Sequence, residues 1–338
     1  MKRMKVKVGG LLFVVAVGIA VGCYLLFAPM FSNLESTAYL YIDTDDTEDS
    51  VGVKVKELGA NQIVGLNLLN SIWGKKELRT GRYGISSGTN ALQLFRKLRN
   101  GDQTPVKLTI PTVRTVGKLA AFLHRKLMMD SLDVAVMLGD SATCSRYGFT
   151  KETIMAMFIP NTYEVYWDVT PENFLKRMNH EYERFWNEKR RALAEKAGLT
   201  PVEVATLASI VDEETANDGE KARIAGMYMN RLHADMPLQA DPTVKFAWQR
   251  FDLKRIWYNL LTLDSPYNTY RNTGLPPGPI RIASVAGIDA VLNYERHGYI
   301  YMCAKEDFSG THNFAVTYKE HQQNARRYTD ALNRLKIK

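Results

Sequence analysis

The segment from residue 200 to residue 214 reads Thr-Pro-Val-Glu-Val-Ala-Thr-Leu-Ala-Ser-Ile-Val-Asp-Glu-Glu, and it decides how the second half of the chain is interpreted. Thr200 can cap a helix, Pro201 suits the first helical position, and Glu203 stands where it completes a capping box. The apolar residues that follow favour a helix that packs against a core. The segment therefore predicts a helix that begins near Pro201 and ends in three adjacent acids.

Helical geometry separates these three acids. At about 100° per residue, Glu214 falls on the same side of the helix as Leu207 and Val211, whereas Glu213 lies opposite and Asp212 lies on the flank. Of the three, Glu214 alone is therefore predicted to face the core, where a carboxyl group is costly to ionise and general-acid chemistry becomes possible. An acidic cluster at a helix end is by itself more often a solvated surface feature. Glu214 is nevertheless the best candidate for a catalytic residue.

The N-terminal residues predict a membrane anchor. The basic residues Lys2, Arg3, Lys5 and Lys7 come first, and residues 9–31 then carry no charge. A run of about 20 apolar residues can span a bilayer, and the positive-inside rule keeps residues 1–8 in the cytoplasm as a short tail. A cleaved signal peptide has a shorter apolar core, of about 7 to 15 residues, and Cys23 is followed by apolar residues, which does not favour lipidation. An uncleaved single-pass helix over residues 9–31 is the favoured interpretation.

The rest of the composition is that of an ordinary exported globular protein. The chain has 338 residues, of which 46% are hydrophobic and 24% are charged, enough for two domains and a sizeable core. The net charge of +8 includes the basic N-terminal tail, so the exported part is only mildly basic. No dense basic stripe with interleaved aromatic residues is present, so nucleic acid is not a predicted partner. Cys144 and Cys303 are both exported, but no pattern predicts that they pair.

Local patterns predict a mixed α+β fold. Short alternating segments favour strands, and amphipathic segments favour helices. The predicted elements are strands at 39–42, 81–85 and 106–110 and helices at 50–58, 90–98, 115–127 and 171–196. The last of these is predicted as one long, charged amphipathic helix.

Several short motifs follow one another in a recognisable order. In the second half of the chain they are Leu207–Thr215, Asn230–Leu232, Met236–Val244, Tyr267–Tyr270, Gly274–Ile280, Thr311–Phe314 and Glu320–His321. In the first half they are Gly81–Tyr83, Leu98–Gly101 and Leu108–Pro111. Together with the N-terminal anchor, these motifs resemble the endolytic murein transglycosylase family, also named MltG or YceG-like, over nearly the whole chain. The resemblance implies a LysM-like α/β subdomain over residues 32–107 and a mixed α+β, YceG-like catalytic domain over residues 108–338.

The resemblance implies an enzyme of the bacterial cell wall. Such enzymes cleave the β-1,4 bond between N-acetylmuramic acid (MurNAc) and N-acetylglucosamine (GlcNAc) in nascent peptidoglycan strands and leave a 1,6-anhydroMurNAc end. The C6 hydroxyl of the sugar is the nucleophile, so one carboxyl group can protonate the leaving oxygen and then take the C6 proton. Glu214 matches the catalytic glutamate of the family, and no cofactor is implied. The implied location is the bacterial cytoplasmic (inner) membrane, with the catalytic domain outside the cytoplasm and peptidoglycan synthases as possible partners.

The same motifs supply candidate substrate-binding residues, which are Gln239, Asp241, Thr243, Asn268, Tyr270 and His312. Asp241 can equally be a turn or cap residue. His312 is interpreted as a hydrogen-bonding residue, because the spacing of the C-terminal histidines matches no metal motif and no metal is predicted. Where relatives often have Glu-Lys-Glu, this chain has Asp212-Glu213-Glu214, which predicts more negative charge and a higher pKa at Glu214.

Two other functions are compatible with the sequence. A non-catalytic glycan-binding scaffold of the cell-wall synthesis machinery would act through its LysM-like part. A hydrolytic muramidase would add water across the same bond and leave reducing ends, ordinarily with two carboxylates. The chemical nature of the products separates the three functions.

Overall fold

The computed structural model describes residues 2–73, 79–253 and 256–334. These residues form two compact units, which are described separately. The first unit takes in the described residues up to Leu108 together with Arg125–Met129 and Tyr163–Val169. The second takes in Thr109–His124, Asp130–Thr162 and the described residues from Thr170 onward. Each unit combines helices with an antiparallel pair of short strands, so the predicted α+β class is confirmed.

The first unit begins with an apolar helix. Helix α1 spans Lys2–Phe27, and its residues Gly10–Phe27 have a mean hydropathy of 2.5. This helix is long and apolar enough to cross a membrane. The predicted span extends to residue 31, but the helix ends at Phe27. Met30 and Phe31 are fully buried in the core of this unit. The last apolar residues of the run therefore pack inside the protein. Hydropathy alone does not distinguish residues in a protein core from residues in contact with lipid.

In the first unit, two helices lie along the chain between two strands that pair antiparallel. The elements in chain order are β1 (Ala38–Ile42), α2 (Glu48–Glu57), α3 (Val64–Trp73), β2 (Gly81–Ile85), α4 (Ala91–Asn100) and β3 (Val106–Thr109). In the β1 and β2 pair, Leu40 stands opposite Tyr83, and both side chains are buried. Thr47 and Asn90 cap α2 and α4 through capping boxes. The predicted strands and the helices near 50–58 and 90–98 are confirmed, whereas α3 is not among the predicted elements.

The rest of the chain is mainly helical. Its elements in chain order are α5 (Val116–Lys126), α6 (Ser131–Gly139), α7 (Ser141–Arg146), β4 (Thr162–Val165), α8 (Pro171–Phe185), α9 (Glu188–Lys196), α10 (Pro201–Glu214), α11 (Asp218–His233), α12 (Asp241–Ala247), α13 (Val285–Leu292), β5 (Tyr301–Ala304), β6 (His312–Ala315) and α14 (Tyr318–Arg334). Short 3₁₀ helices lie at Ile154–Met157 and Tyr258–Thr262. Strand β3 pairs with β4, and β5 pairs antiparallel with β6.

Residues 171–196 form two helices, so the prediction of one long helix is wrong. Helix α8 ends at Phe185, and α9 begins at Glu188. Between them, the Asn187 side chain accepts a hydrogen bond from the backbone N–H of Arg190 and so caps α9. Asparagine competes with the helical backbone for hydrogen bonds and is favoured at cap positions.

Helix α10 lies in the core of the second unit. It begins as predicted: the Thr200 hydroxyl accepts from the backbone N–H of Glu203 at 3.2 Å, and the Glu203 carboxylate accepts from the backbone N–H of Thr200 at 2.7 Å. Every residue from Val204 to Val211 is buried, because α9, α11, α12 and α13 all pack against this helix. Side chains at the end of α10 therefore meet other elements on every side.

Candidate active site

The C-terminal end of α10 lies at a cavity of about 330 Å³ in the second unit. Its walls come from α11, the segment before α12, strands β5 and β6 and the start of α14. The polar side chains that line it are Glu214, Tyr228, Arg231, Gln239, Asp241, Tyr270, Tyr301, Cys303, His312, Tyr318 and His321. A concave site with a few converging polar groups is the usual form of a ligand-binding or catalytic site.

Glu214, the last residue of α10, is hydrogen-bonded to the side chain of a tyrosine. The hydroxyl of Tyr228 donates a hydrogen bond of 2.7 Å to Glu214 Oε1. Burial raises the pKa of Glu214 above its ordinary value, the charge of Asp241 raises it further, and the hydrogen bond from Tyr228 opposes the rise. Burial also raises the pKa of Tyr228 well above its ordinary value, so its hydroxyl remains a donor. A carboxyl group that keeps its proton to a higher pH than usual is suited to general-acid chemistry.

Asp212 is also buried, and it belongs to an ion pair. Its side chain is 4% exposed, and its carboxylate lies 2.8 Å from Lys221 Nζ. It also accepts hydrogen bonds from the backbone N–H and the hydroxyl of Ser284, at 2.6 and 2.8 Å. Burial lowers the pKa of Lys221, but the carboxylates of Asp212 and Asp218 outweigh burial, so this pKa lies above its ordinary value. Asp212 therefore links α10 to α11 and to the start of α13.

Glu213 forms a second ion-pair cluster. Arg114 donates to both of its carboxylate oxygens at 2.8 Å, and Arg281 Nη1 donates to Oε1 at 3.0 Å. The Glu213 side chain is 13% exposed. A bidentate pairing of this kind is the strong form of an arginine and carboxylate contact.

The prediction that Glu214 alone faces the core is therefore wrong, since the side chains of Asp212 and Glu213 are only 4% and 13% exposed. The reason is that neighbouring helices and loops cover all sides of α10, so helical geometry does not divide its end into a core side and a solvent side. The charges of Asp212 and Glu213 are also predicted from the sequence to raise the pKa of Glu214, but they are not the cause of the raised pKa. Cations balance both neighbouring acids, and the pKa is raised by burial and by Asp241.

Four of the six candidate substrate-binding residues line the cavity together with Glu214, namely Gln239, Asp241, Tyr270 and His312. The Tyr270 hydroxyl donates to Asp241 Oδ1 at 2.6 Å. Burial raises the pKa of Tyr270, and the charge of Asp241 raises it further. Asp241 is the first residue of α12, but its carboxylate binds Tyr270, and no side chain caps this helix. The structure therefore does not support the alternative that Asp241 is a cap residue.

Gln239 has an unusual backbone for a residue other than glycine. Its φ is 52°, in the left-handed region. Its backbone N–H donates to Thr269 O at 3.0 Å, and its side-chain Oε1 accepts from Arg231 Nη1 at 3.2 Å. The side chain is therefore held against the cavity wall by Arg231.

Arg231 and Tyr228 are site residues to which the sequence analysis assigns no role. The Arg231 guanidinium donates to the backbone carbonyls of Ile300, Pro237 and Leu238 at 2.7 to 3.0 Å, and burial lowers its pKa. Arg231 lies within one of the quoted motifs, and that signal could have marked it. No local pattern around Tyr228 predicts its contact with residue 214.

Thr243 and Asn268 do not line the cavity. Both are fully buried. The Thr243 hydroxyl donates to Ala240 O at 2.8 Å, and Asn268 Nδ2 donates to the carbonyls of Leu261 and Leu263 at 2.9 and 2.8 Å. They hold loops behind the cavity wall, so the predicted direct contact with substrate does not fit their positions.

His312, the first residue of β6, is bound to Glu220 on α11. The backbone N–H of His312 donates to Glu220 Oε1 at 2.8 Å, and ring Nδ1 lies 2.9 Å from Glu220 Oε2. The two side chains are 13% and 8% exposed. Glu220 is therefore a further residue that the sequence analysis missed. Among residues 2–73, 79–253 and 256–334, no group of three or more His, Cys, Asp or Glu side chains is placed to hold a metal ion.

Comparison with known proteins identifies the family. Residues 40–327 match the sequence model of the YceG-like family. An endolytic murein transglycosylase of Bacillus subtilis (strain 168) is 35% identical over 276 residues, which cover 77% of this chain and 76% of that protein. The same-named protein of Streptococcus pneumoniae (strain D39) is 24% identical over 90% of this chain, which spans only 60% of that longer protein. The crystal structure of a yceG-like protein from Listeria monocytogenes matches with a TM-score of 0.57 at 25% identity, over 86% of this chain and 99% of that one. The chain therefore belongs to the YceG-like family.

Proposed function

We propose that this protein is an endolytic lytic transglycosylase that cleaves the MurNAc-β-1,4-GlcNAc bond in nascent peptidoglycan and leaves 1,6-anhydroMurNAc ends. The names of its relatives from Bacillus subtilis and Streptococcus pneumoniae support this class of reaction. The strongest structural support is the state of Glu214, a carboxyl group with a raised pKa at the wall of a polar cavity. A protonated carboxyl group in such a place can protonate a leaving oxygen.

In the proposed reaction, Glu214 donates its proton to the glycosidic oxygen that leaves with GlcNAc. The bond from that oxygen to C1 of MurNAc breaks, and the C6 oxygen of the same MurNAc bonds to C1 and closes the anhydro ring. The C6 hydroxyl gives up its proton, which the newly formed Glu214 carboxylate is able to accept. One carboxyl group suffices because no water is consumed, in contrast to the pair of carboxylates in ordinary glycosidases.

The cavity walls supply hydrogen-bonding groups for the sugar rings. Gln239 offers an amide, and the bonded pair of Asp241 and Tyr270 offers a carboxylate and a phenol. Such groups orient hydroxyl and acetamido substituents in a cleft. Thr243 and Asn268 contribute by holding the loops that carry these side chains.

The first unit is proposed to anchor the enzyme and to bind glycan. Helix α1 fits a single membrane span, and its basic start favours a cytoplasmic N-terminus with the cavity on the outer side. The order of β1, α2, α3 and β2, with antiparallel outer strands, supports the LysM-like assignment. An anchored enzyme that cuts nascent strands would work beside the peptidoglycan synthases that make them.

Product analysis tests this proposal. We expect purified full-length protein in detergent to release fragments that end in 1,6-anhydroMurNAc, identified by mass spectrometry, with no oxygen incorporated from ¹⁸O-labelled water. A hydrolytic muramidase would instead yield reducing ends that carry ¹⁸O. A non-catalytic scaffold would bind strands and release nothing. Either of these results would refute the proposal.

The Tyr228→Phe variant tests the control of Glu214. The Tyr228 hydroxyl stabilises the charged carboxylate and so lowers the pKa of Glu214. A hydrogen bond to a charged group contributes about 1.5–3 kcal/mol, which corresponds to about one to two pKa units. Because a general acid is active while protonated, kcat/KM falls as pH rises through its pKa, and in the variant we expect this fall at a pH higher by about one to two units.

Tyr258→Phe is the matched control for this measurement, because the Tyr258 side chain is strongly exposed and lies outside the cavity. The alkaline fall of kcat/KM in this control should coincide with that of the wild type. A Tyr228→Phe profile that is unchanged, or that moves to lower pH, would contradict the assignment of Glu214 as the acid.

A further inference from the structure

The contact between His312 and Glu220 fixes which ring nitrogen carries hydrogen. A carboxylate only accepts hydrogen bonds, so the Nδ1 that lies 2.9 Å from Glu220 Oε2 must be the protonated nitrogen. In a neutral imidazole the other nitrogen, Nε2, then has a free lone pair. Within the part of the chain that the structure describes, no hydrogen bond to His312 Nε2 is formed, and His312 lines the same cavity as Glu214.

This arrangement has the form of an oriented base. In other enzymes, a carboxylate that binds one nitrogen of a histidine holds the ring in the correct tautomer and stabilises the imidazolium that forms when the other nitrogen accepts a proton. Glu220 holds His312 at two points, the ring nitrogen and the backbone N–H, so both the ring and its strand are fixed. With a neutral His312 ring, the cavity at Glu214 holds a proton donor and a proton acceptor on separate side chains.

We propose that His312, oriented by Glu220, is a second catalytic residue, which takes the proton of the MurNAc C6 hydroxyl while Glu214 protonates the leaving oxygen. This inference rests on the reaction given in the proposed function, and it replaces the Glu214 carboxylate by His312 as the acceptor of the C6 proton. The C6 oxygen bonds to C1, the bond from C1 to the GlcNAc oxygen breaks, one proton passes from C6 to His312 Nε2, and one passes from Glu214 to GlcNAc. The imidazolium then returns its proton to the Glu214 carboxylate through solvent, and both residues are restored.

The charge balance of the cavity favours separate residues for the two roles, Glu214 as the acid and His312 as the base. A neutral carboxyl group and a neutral imidazole become a carboxylate and an imidazolium, so the net charge of a partly buried site does not change during the step. The other titratable or charged groups on these walls are Tyr228, Arg231, Asp241, Tyr270, Tyr301, Cys303, Tyr318 and His321. Arg231 donates to backbone carbonyls and to Gln239, and Asp241 is bonded to Tyr270. The Glu220 carboxylate directly bound to the ring therefore provides the principal stabilisation of the imidazolium.

The two mechanisms predict different pH profiles of kcat/KM. If Glu214 serves as both acid and base, activity requires one protonated group and falls only on the alkaline side. If His312 is the base, it must be neutral, so activity also falls on the acid side and the profile is bell-shaped. The wild-type profile tests this without any substitution.

Variants of full-length protein in detergent, with purified glycan strands as substrate, complete the test. We expect His312→Gln to lower kcat by about 10²- to 10⁴-fold, the usual contribution of a general base, and to remove the acid-side fall while KM changes little. Glu220→Gln should move the acid-side fall to lower pH, because the imidazolium loses its stabilising charge. His180→Gln, at an exposed position on α8, is the matched control and should behave as wild type.

The inference would be overturned by a wild-type profile with no acid-side fall, or by a folded His312→Gln variant whose kcat is within about threefold of wild type. A change confined to KM would likewise reduce His312 to a binding residue and refute its role as base. These failures differ from a failure of the proposed function, in which the wild type itself leaves no anhydro ends. Circular dichroism of each variant establishes folding, and the wild-type profile remains decisive if His312→Gln does not fold.

Discussion

The Glu214→Gln variant is expected to release no measurable 1,6-anhydro product from glycan strands, a loss of about 10³-fold or more. Glutamine retains the shape of the side chain and can still accept the hydrogen bond from Tyr228, but it has no acidic proton to give to the leaving oxygen. Fragment release, followed by chromatography and mass spectrometry, measures the loss. Glu195→Gln, at an exposed site on α9, is the matched control and should retain full activity.

The same variant should be at least as stable as the wild type at neutral pH. Burial raises the pKa of Glu214 in the folded protein above the value of 4.5 for a free side chain. A raised folded pKa stabilises the fold below the unfolded pKa, and this contribution is lost as pH rises through the folded pKa. Glutamine does not ionise and so avoids that loss. Wild-type activity in a folded Glu214→Gln protein would refute the catalytic assignment, and a marked loss of stability at neutral pH would contradict the cost assigned to its ionisation.

Lys221→Met is expected to destabilise the surroundings of α10 more than any surface change. The substitution leaves the carboxylate of Asp212, which is 4% exposed, without its cation. Breaking a buried ion pair from one side costs about 3–5 kcal/mol, and the two hydrogen bonds from Ser284 should keep the cost near the lower limit. At about 1.4 kcal/mol for each factor of ten, amide hydrogen exchange in α10 should accelerate about 100-fold.

Lys189→Met is the control for this experiment, because it makes the same substitution at an exposed position on α9. It should leave hydrogen exchange in α10 within about twofold of wild type. Equal exchange rates in Lys221→Met and wild type would mean that Asp212 is not held by this pair. The free energy of unfolding of the whole chain is a less direct measure, because two units need not unfold together.

Local sequence signals predict the elements whose causes are local. The start of α10 follows from Thr200, Pro201 and Glu203 within one turn, and the alternation of β1 and β2 is visible in a few residues. Because both effects depend on neighbours along the chain, a sequence is sufficient to find them. The break between α8 and α9 is also local, because Asn187 caps α9, but charged residues continue on both sides of it and together resemble one amphipathic helix.

The surroundings of the three acids have distant causes. Glu213 is paired with Arg114 and Arg281, which lie 99 and 68 positions away in the chain. Asp212 is bound by Ser284, 72 positions away. Helical geometry gives the direction of each side chain relative to its own helix but not what occupies that direction. Glu214 was therefore correctly placed in a buried setting, whereas the burial of its two neighbours could not be predicted.

Motif membership likewise does not separate residues that face a cavity from residues that support it. Gln239 and Thr243 stand in one motif, yet the first lines the cavity and the second lies behind its wall. In a second motif, Tyr270 lines the cavity and Asn268 lies behind its wall. The separation depends on how the loops fold around α12, which is set by hydrogen bonds between segments.

The contact between Arg231 and Gln239 determines what the amide of Gln239 can recognise. Arginine has no acceptor, so the amide oxygen must face Arg231, and the amide nitrogen is left to carry out any other contact. A ligand group that lies against the amide nitrogen of Gln239 therefore meets N–H donors. A carbonyl oxygen, such as that of an acetyl substituent, can accept hydrogen bonds from these donors, whereas an ammonium group, which only donates, cannot pair with them.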